Sequence, residues 1–166
     1  KYADLVIKCA LKIKAGDILV IRSPIEASLL TENLVKKAYE EGAKKVQVDY
    51  SDENITKLKY TYESEETLSQ VPEFLIEKEN YFINKKAKYL SITGGNPELF
   101  KGIDSSKIKA ANVANGIAFK DFSEKLMSNY TSWCVIGAAT KVWAAKVFPD
   151  LDEDEAKLKL WEEIFY

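Results

Sequence analysis

Residues 17–27, D-I-L-V-I-R-S-P-I-E-A, constrain the fold more than any other stretch of this chain. An apolar core of strand length, residues 18–22, passes within about three residues into helix-start chemistry. Ser23 and Glu26 form an S-x-x-E pair, which predicts a capping box. In that box Ser23 accepts from the N–H of Glu26, whose carboxylate reaches back to the N–H of Ser23. Pro24 then falls at the first helical position, where its missing donor costs nothing. The chain's only arginine, Arg22, sits at the carboxyl end of the predicted strand. Open α/β sheets tend to hold ligands at that end, and a guanidinium has bidentate hydrogen-bonding geometry. A strand that feeds directly into a helix specifies an α/β fold.

The rest of the chain extends the pattern. Residues 2–14 read as an amphipathic helix with Leu5, Val6, Cys9 and Ile13 on one face and Gly16 just beyond. A second helix, about 24–41, turns Leu30, Leu34 and Ala38 inward and stops at Gly42. Residues 45–50 alternate through Val46 and Val48 as a second strand. This compact unit of about 30 residues predicts parallel strands and a right-handed crossover. Asp52 and Glu53 open a short helix to residue 60, and 62–86 are helical, acidic and interrupted at Pro72. A third strand, 88–93, runs into the turn Gly94-Gly95-Asn96-Pro97. Asp104 caps a long helix to about 128, with Gly116 as a soft point, and a fourth strand covers 130–137. Thr140 caps a short helix ending before Pro149, and Asp152 with Glu155 repeats the capping-box pattern for the last helix. Such alternation predicts one three-layer α/β domain, with a mainly parallel sheet of about four or more strands flanked by helices.

Composition narrows the chemistry. At 166 residues the chain can bury about 70% of its unfolded surface, so it needs no metal or disulfide staple. Net charge is −2 and the isoelectric point is near 5.4, which gives no general attraction to nucleic acid or acidic membranes. There is no histidine, which excludes Ser-His-Asp triads, His-based acid–base catalysis and His-containing metal sites within these residues. Cys9 and Cys134 lie in apolar patterns and are expected as buried, reduced thiols of a cytosolic protein. Lys8, Lys12 and Lys14 interrupt the first apolar stretch, so it does not read as a signal peptide. The uncharged run 126–140 is too short and too polar to span a bilayer. Lys1 begins inside a periodic helix and L-K-L-W-E-E-I-F-Y stops within another, leaving Trp161, Phe165 and Tyr166 without a visible partner. The expectation is that the natural protein continues.

Four groups of residues merit weighing as sites. The turn Arg22-Ser23-Pro24 has no glycine, so the dinucleotide reading with Asp49 as the ribose acid fails, because backbone cannot approach a pyrophosphate there. Thr93-Gly94-Gly95-Asn96 could aim backbone N–H groups at a phosphate or carboxylate, or be a tight turn with Asn96 as its cap. Asp49, Asp52 and Glu53 could bind a divalent ion or act as acid and base, or Asp52 and Glu53 simply place negative charge in the first turn of a helix. Y-F-I-N-K-K-A-K-Y, 81–89, interleaves aromatics with lysines, yet reads as a helix end leading into a strand rather than a nucleic-acid surface. Arg22 either pairs with a core carboxylate such as Asp49 or faces a cleft and holds a carboxylate. Cleft-lining or anion-binding candidates are therefore Arg22, Ser23, Thr93, Gly94, Gly95 and Asn96.

Five segments together resemble the N-terminal domain of the aminopeptidase T family of metalloaminopeptidases. They are L-V-I-R-S-P-I-E-A (19–27), V-D-Y-S-D-E-N-I-T-K-L-K-Y (48–60) and Y-L-S-I-T-G-G-N-P-E-L-F-K-G-I-D (89–104). W-C-V-I-G-A-A-T-K-V-W-A-A-K-V-F-P-D-L (133–151) and L-W-E-E-I-F (160–165) complete the set in the family's order. The resemblance implies a cytoplasmic, usually dimeric exopeptidase that removes N-terminal residues from peptides. It implies two divalent metal ions, zinc, cobalt or similar, held by Glu, His and Asp of a C-terminal catalytic domain beyond Tyr166. No ligand carries over to a position here, so this chain would be an inactive N-terminal domain of a longer two-domain enzyme. Its role would be to wall the active-site cavity and support assembly, with no nucleic-acid or membrane partner. Two other readings stay open: a stand-alone module binding a small anion through Arg22 and the Gly94-Gly95 turn, and an interaction domain docking a partner on Trp161, Phe165 and Tyr166.

Overall fold

The computed structural model describes residues 1–165. Its sheet contains β1 (Ile18–Pro24), β2 (Lys45–Ser51), β3 (Lys88–Thr93) and β4 (Trp133–Gly137), in the order β2-β1-β3-β4. Every pairing is parallel, and the expected β1–β2 pairing holds through the register Ile18↔Lys45 to Pro24↔Ser51. The order reverses direction between β1 and β3, so the crevice between their carboxyl ends is the topological switch point.

Helices cover both faces, giving the three layers. α1 (Tyr2–Asp4) continues as a π-helix, Leu5–Ala10, and precedes β1. α2 (Ser28–Glu40) links β1 to β2. Between β2 and β3 lie α3 (Glu53–Tyr62), α4 (Glu65–Leu68) and α5 (Glu73–Asn84). α6 (Ser105–Ala118) and α7 (Lys120–Met127) precede β4, and α8 (Lys141–Val147) and α9 (Glu153–Phe165) follow it. Strand alternation divides the core. Leu19, Ile21, Leu90, Ile92 and Ile136 meet Val6, Ile7, Leu11 and Leu34 on one face. Val20 and Tyr89 meet Phe82, Ile83 and Phe122 on the other.

Several helix starts match the sequence. Asp52 accepts from the N–H groups of Asn54 (2.7 Å) and Ile55 (3.3 Å), and Asp104 from Ser106 (2.9 Å). Thr140 accepts from Trp143 (3.3 Å), and Asp152 from Asp154 (2.9 Å) and Glu155 (3.1 Å).

Several expectations need correction. The Ser23–Glu26 box does not form, because β1 runs on to Pro24 and a 3-10 turn, Ile25–Ala27, precedes α2. Pro24, at φ −65° and ψ 144°, is extended rather than helical. The helix predicted for 2–14 ends at Ala10, and Lys12 takes a left-handed φ of 52°. Lys88 Nζ satisfies the freed carbonyls of Leu11 (3.0 Å) and Lys12 (2.6 Å) while pairing with Asp17 (2.8 Å). The wider π winding also rotates the buried face to Val6 and Ile7, which leaves Leu5 and Cys9 exposed. Both cysteines are free thiols and Cys134 is half-buried. Lastly, the helix expected over 104–128 breaks at Phe119 into α6 and α7, and β4 begins at Trp133 rather than at residue 130.

Candidate functional site

The carboxyl end of the sheet is where an α/β domain would act, and here its turns satisfy one another. Glu53, the first residue of α3, accepts the backbone N–H of Asn96 (2.7 Å) on Oε1. That oxygen lies 2.8 Å from where a Cβ on Gly95 would stand, so the glycine admits this carboxylate. Asn96 Oδ1 in turn accepts from the N–H of Glu98 (2.9 Å), which is the capped tight turn. A Cβ on Gly94 would collide with the carbonyl oxygen of Ala138, and the Gly94 carbonyl accepts from the Thr140 hydroxyl. Thr93 donates to the carbonyl of Ile136 (3.1 Å). Glu26, free of its expected box, accepts the N–H of Lys141 at the start of α8 (3.0 Å) and faces Lys157 (3.9 Å). Each turn that might cradle an external anion thus already holds a carboxylate or carbonyl of the chain itself. An incoming anion at Asn96 would have to displace Glu53.

Arg22 and Ser23 part company because adjacent strand residues point to opposite faces. Ser23 is buried against Thr31, with the hydroxyls 2.8 Å apart, and Thr31 reaches the carbonyl of Ala27 (3.0 Å). Arg22 emerges on the other face. Its Nη2 lies 2.8 Å from Glu79 Oε2 on α5, whereas Asp49, its register partner on β2, pairs with Lys78 (2.6 Å) and accepts from Gln47 (3.0 Å). The Arg22 guanidinium also sits 5.2 Å from the centre of the Phe122 ring and 5.7 Å from that of Tyr89. It lines a cleft of about 440 Å³ with Glu79, Asn115, Gly116, Phe119, Phe122 and Ser123. None of Ser23, Thr93, Gly94, Gly95 or Asn96 lines that cleft. Burial, with Glu79 close by, raises the Tyr89 phenol well above its ordinary range.

Sequence reasoning missed Glu79, Phe119 and Phe122 as neighbours of Arg22. The i, i+3 spacing of the two phenylalanines was visible. Glu79 had no distinguishing signal within its acidic helical segment.

The chain matches the family described as thermophilic metalloprotease (M29) over residues 1–166. It belongs to that family. Aminopeptidase AmpS of Bacillus subtilis is 37% identical over 164 residues, covering 99% of this chain and 40% of that protein. Aminopeptidase T of Thermus thermophilus is 33% identical over 165 residues, again 99% of this chain and 40% of the relative. The solved structure of wild-type AmpT from Thermus thermophilus superposes with a TM-score of 0.91 at 33% identity, over 98% of this chain and 41% of that one. The chain therefore spans about 40% of the length of the relatives it matches.

A metalloprotease family implies metal, and the carboxylates at the sheet's carboxyl end do not fit one. Asp49 is spent on Lys78, Asp52 on its own helix and Glu53 on Asn96. Among the described residues no group of three or more His, Cys, Asp or Glu side chains comes together. No helix among them is long and apolar enough to cross a membrane.

Proposed function

We propose that this chain is the N-terminal, non-catalytic α/β domain of a cytoplasmic, metal-dependent aminopeptidase that releases N-terminal amino acids from peptides. The observation that carries this reading is the end-to-end family match, against aminopeptidases of which the chain spans only about 40%. The absence of histidine from the sequence supports it, since any imidazole ligand must come from elsewhere in the protein. Two divalent ions, zinc, cobalt or similar, would be bound by the remaining part and would activate water there. This domain would contribute a wall of the substrate cavity, pack against its own catalytic domain and support a homodimer.

The test compares the 166-residue chain with the product of the complete natural reading frame on aminoacyl-p-nitroanilides, each with added zinc or cobalt. Turnover by the longer product and none by the 166 residues is the expected result. Metal-dependent turnover by the 166 residues alone, or stoichiometric metal bound to them, overturns the reading.

A further inference from the structure

The cleft between α5, α6 and α7 carries chemistry that neither the sheet nor the peptidase reading uses. A long helix broken at Phe119 creates it, because the break sets Phe119 and Phe122 beside Arg22. Glu79 and the rings of Tyr89 and Phe122 fix the guanidinium in place, yet the side chain remains 40% exposed. A guanidinium carries several N–H donors in a rigid fork. Among the described residues Glu79 is the one carboxylate within ion-pair distance of it. The other donors are left to water or to an occupant of the cleft. The Tyr89 ring backs the guanidinium from outside the cleft lining, and its hydroxyl is buried with no hydrogen-bond partner among the described residues. Gly116 lines the α6 wall, and a Cβ built on it meets no heavy atom within 4 Å, so a side chain can be added there without displacing the wall.

We propose that this cleft binds a small organic monocarboxylate with an apolar body, the carboxylate on Arg22 and the body against Phe119 and Phe122. A cation already held in position loses little freedom on binding, which favours recognition by so few groups. The planar carboxylate matches the fork of the guanidinium. Glu79 offsets the charge of Arg22, so a compact dianion such as phosphate gains little there. The aromatic walls disfavour a strongly hydrated ion for the same reason that they favour an apolar body. The proposal is independent of the peptidase reading and is tested on the 166-residue chain without metal.

The probe is 3-phenylpropionate, titrated into isotope-labelled protein and followed by amide and arginine side-chain resonances. Saturable shifts are expected at the Arg22 Nε–Hε and at the amides of Gly116, Phe119, Phe122 and Ser123. Neutral 3-phenylpropanol and inorganic phosphate should bind more weakly by about tenfold or more, as expected for loss of a charge-assisted pair. Arg22→Gln should weaken phenylpropionate by a similar factor. Because that change leaves Glu79 without its cation and can unfold the chain, Gly116→Leu serves as the second variant. It keeps the ion pair, fills the opening and should abolish binding. The proposal is overturned by absence of saturation up to about 10 mM, by phosphate or the alcohol binding as tightly as the carboxylate, or by binding retained in Gly116→Leu.

Discussion

The two faces of the sheet are built by the same four strands and end up as different materials. On the face under α2 and α9, Leu19, Ile21 and Leu90 are fully buried in one continuous apolar cluster with the first helical segment. On the face under α5 and α7, the apolar cluster is shorter and meets an ion pair one alternation beyond Val20, at Arg22. Beyond that, Trp133 and Val135 of β4 stand 41% and 53% exposed on the second face, while Ile136 is buried on the first. The difference teaches that strand alternation decides which side a residue joins, whereas the covering helices decide whether that side becomes a dry core. The first face carries stability, and the second has room for a cleft.

The contrast breaks first if deep truncation on the first face is cheap. Leu90→Ala should cost about 2–5 kcal/mol through lost burial and the cavity left behind. Urea unfolding reads it as a lower midpoint at unchanged slope. On the second face, Arg22→Met should cost about 1–3 kcal/mol, most of it from leaving the mostly buried Glu79 carboxylate unpaired. The double variant Arg22→Met/Glu79→Leu should recover most of that loss. A single-variant loss equal to that of Leu90→Ala would show the two faces bearing equal load. Smaller still, Gly116→Ala should stabilise by about 0.5–1 kcal/mol, because the helix gains and nothing is displaced. A destabilisation instead would mean that α6 is packed where its wall looks open.

The smallest effect concerns α9. The N–H groups of Glu155 and Asp154 hold the Asp152 carboxyl below its ordinary range. A folded-state value that is depressed contributes stability fully present above the unfolded value and lost as pH falls through the folded one. The urea midpoint should therefore drop a little in acid, below about pH 4, and Asp152→Asn should flatten that dependence. A midpoint in Asp152→Asn with the same acid slope as the parent chain would assign the slope to other carboxylates.

What the sequence made legible was local or periodic. The bounds of β3, the βαβ unit and the caps at Asp52, Asp104, Thr140 and Asp152 all follow from neighbours a few residues apart. Ser23-x-x-Glu26 carried the same signature and failed, because pairing of Ser23 with Tyr50 and Pro24 with Ser51 extends the strand through it. Proline's fixed φ suits extended backbone as well as a first helical turn, so it could not decide between them. Cys9 was misplaced because a π-helix shifts the buried face relative to an α-helical period. Arg22 was legible as a residue of interest but not its partner. Glu79 is one of several acids on α5, and only the docking of that helix selects it.

The carboxylates at the carboxyl end of the sheet have a dynamic consequence. Glu53 ties the turn after β2 to the turn after β3, passing over the end of β1. Glu26 ties the turn after β1 to the start of α8 after β4, passing over the end of β3. Each tie skips one strand, and the two interleave. Lifting the turn after β2 therefore frees the amide of Asn96, and lifting the turn after β1 frees that of Lys141, each two strands away, so each amide should exchange faster with solvent when its own carboxylate is removed.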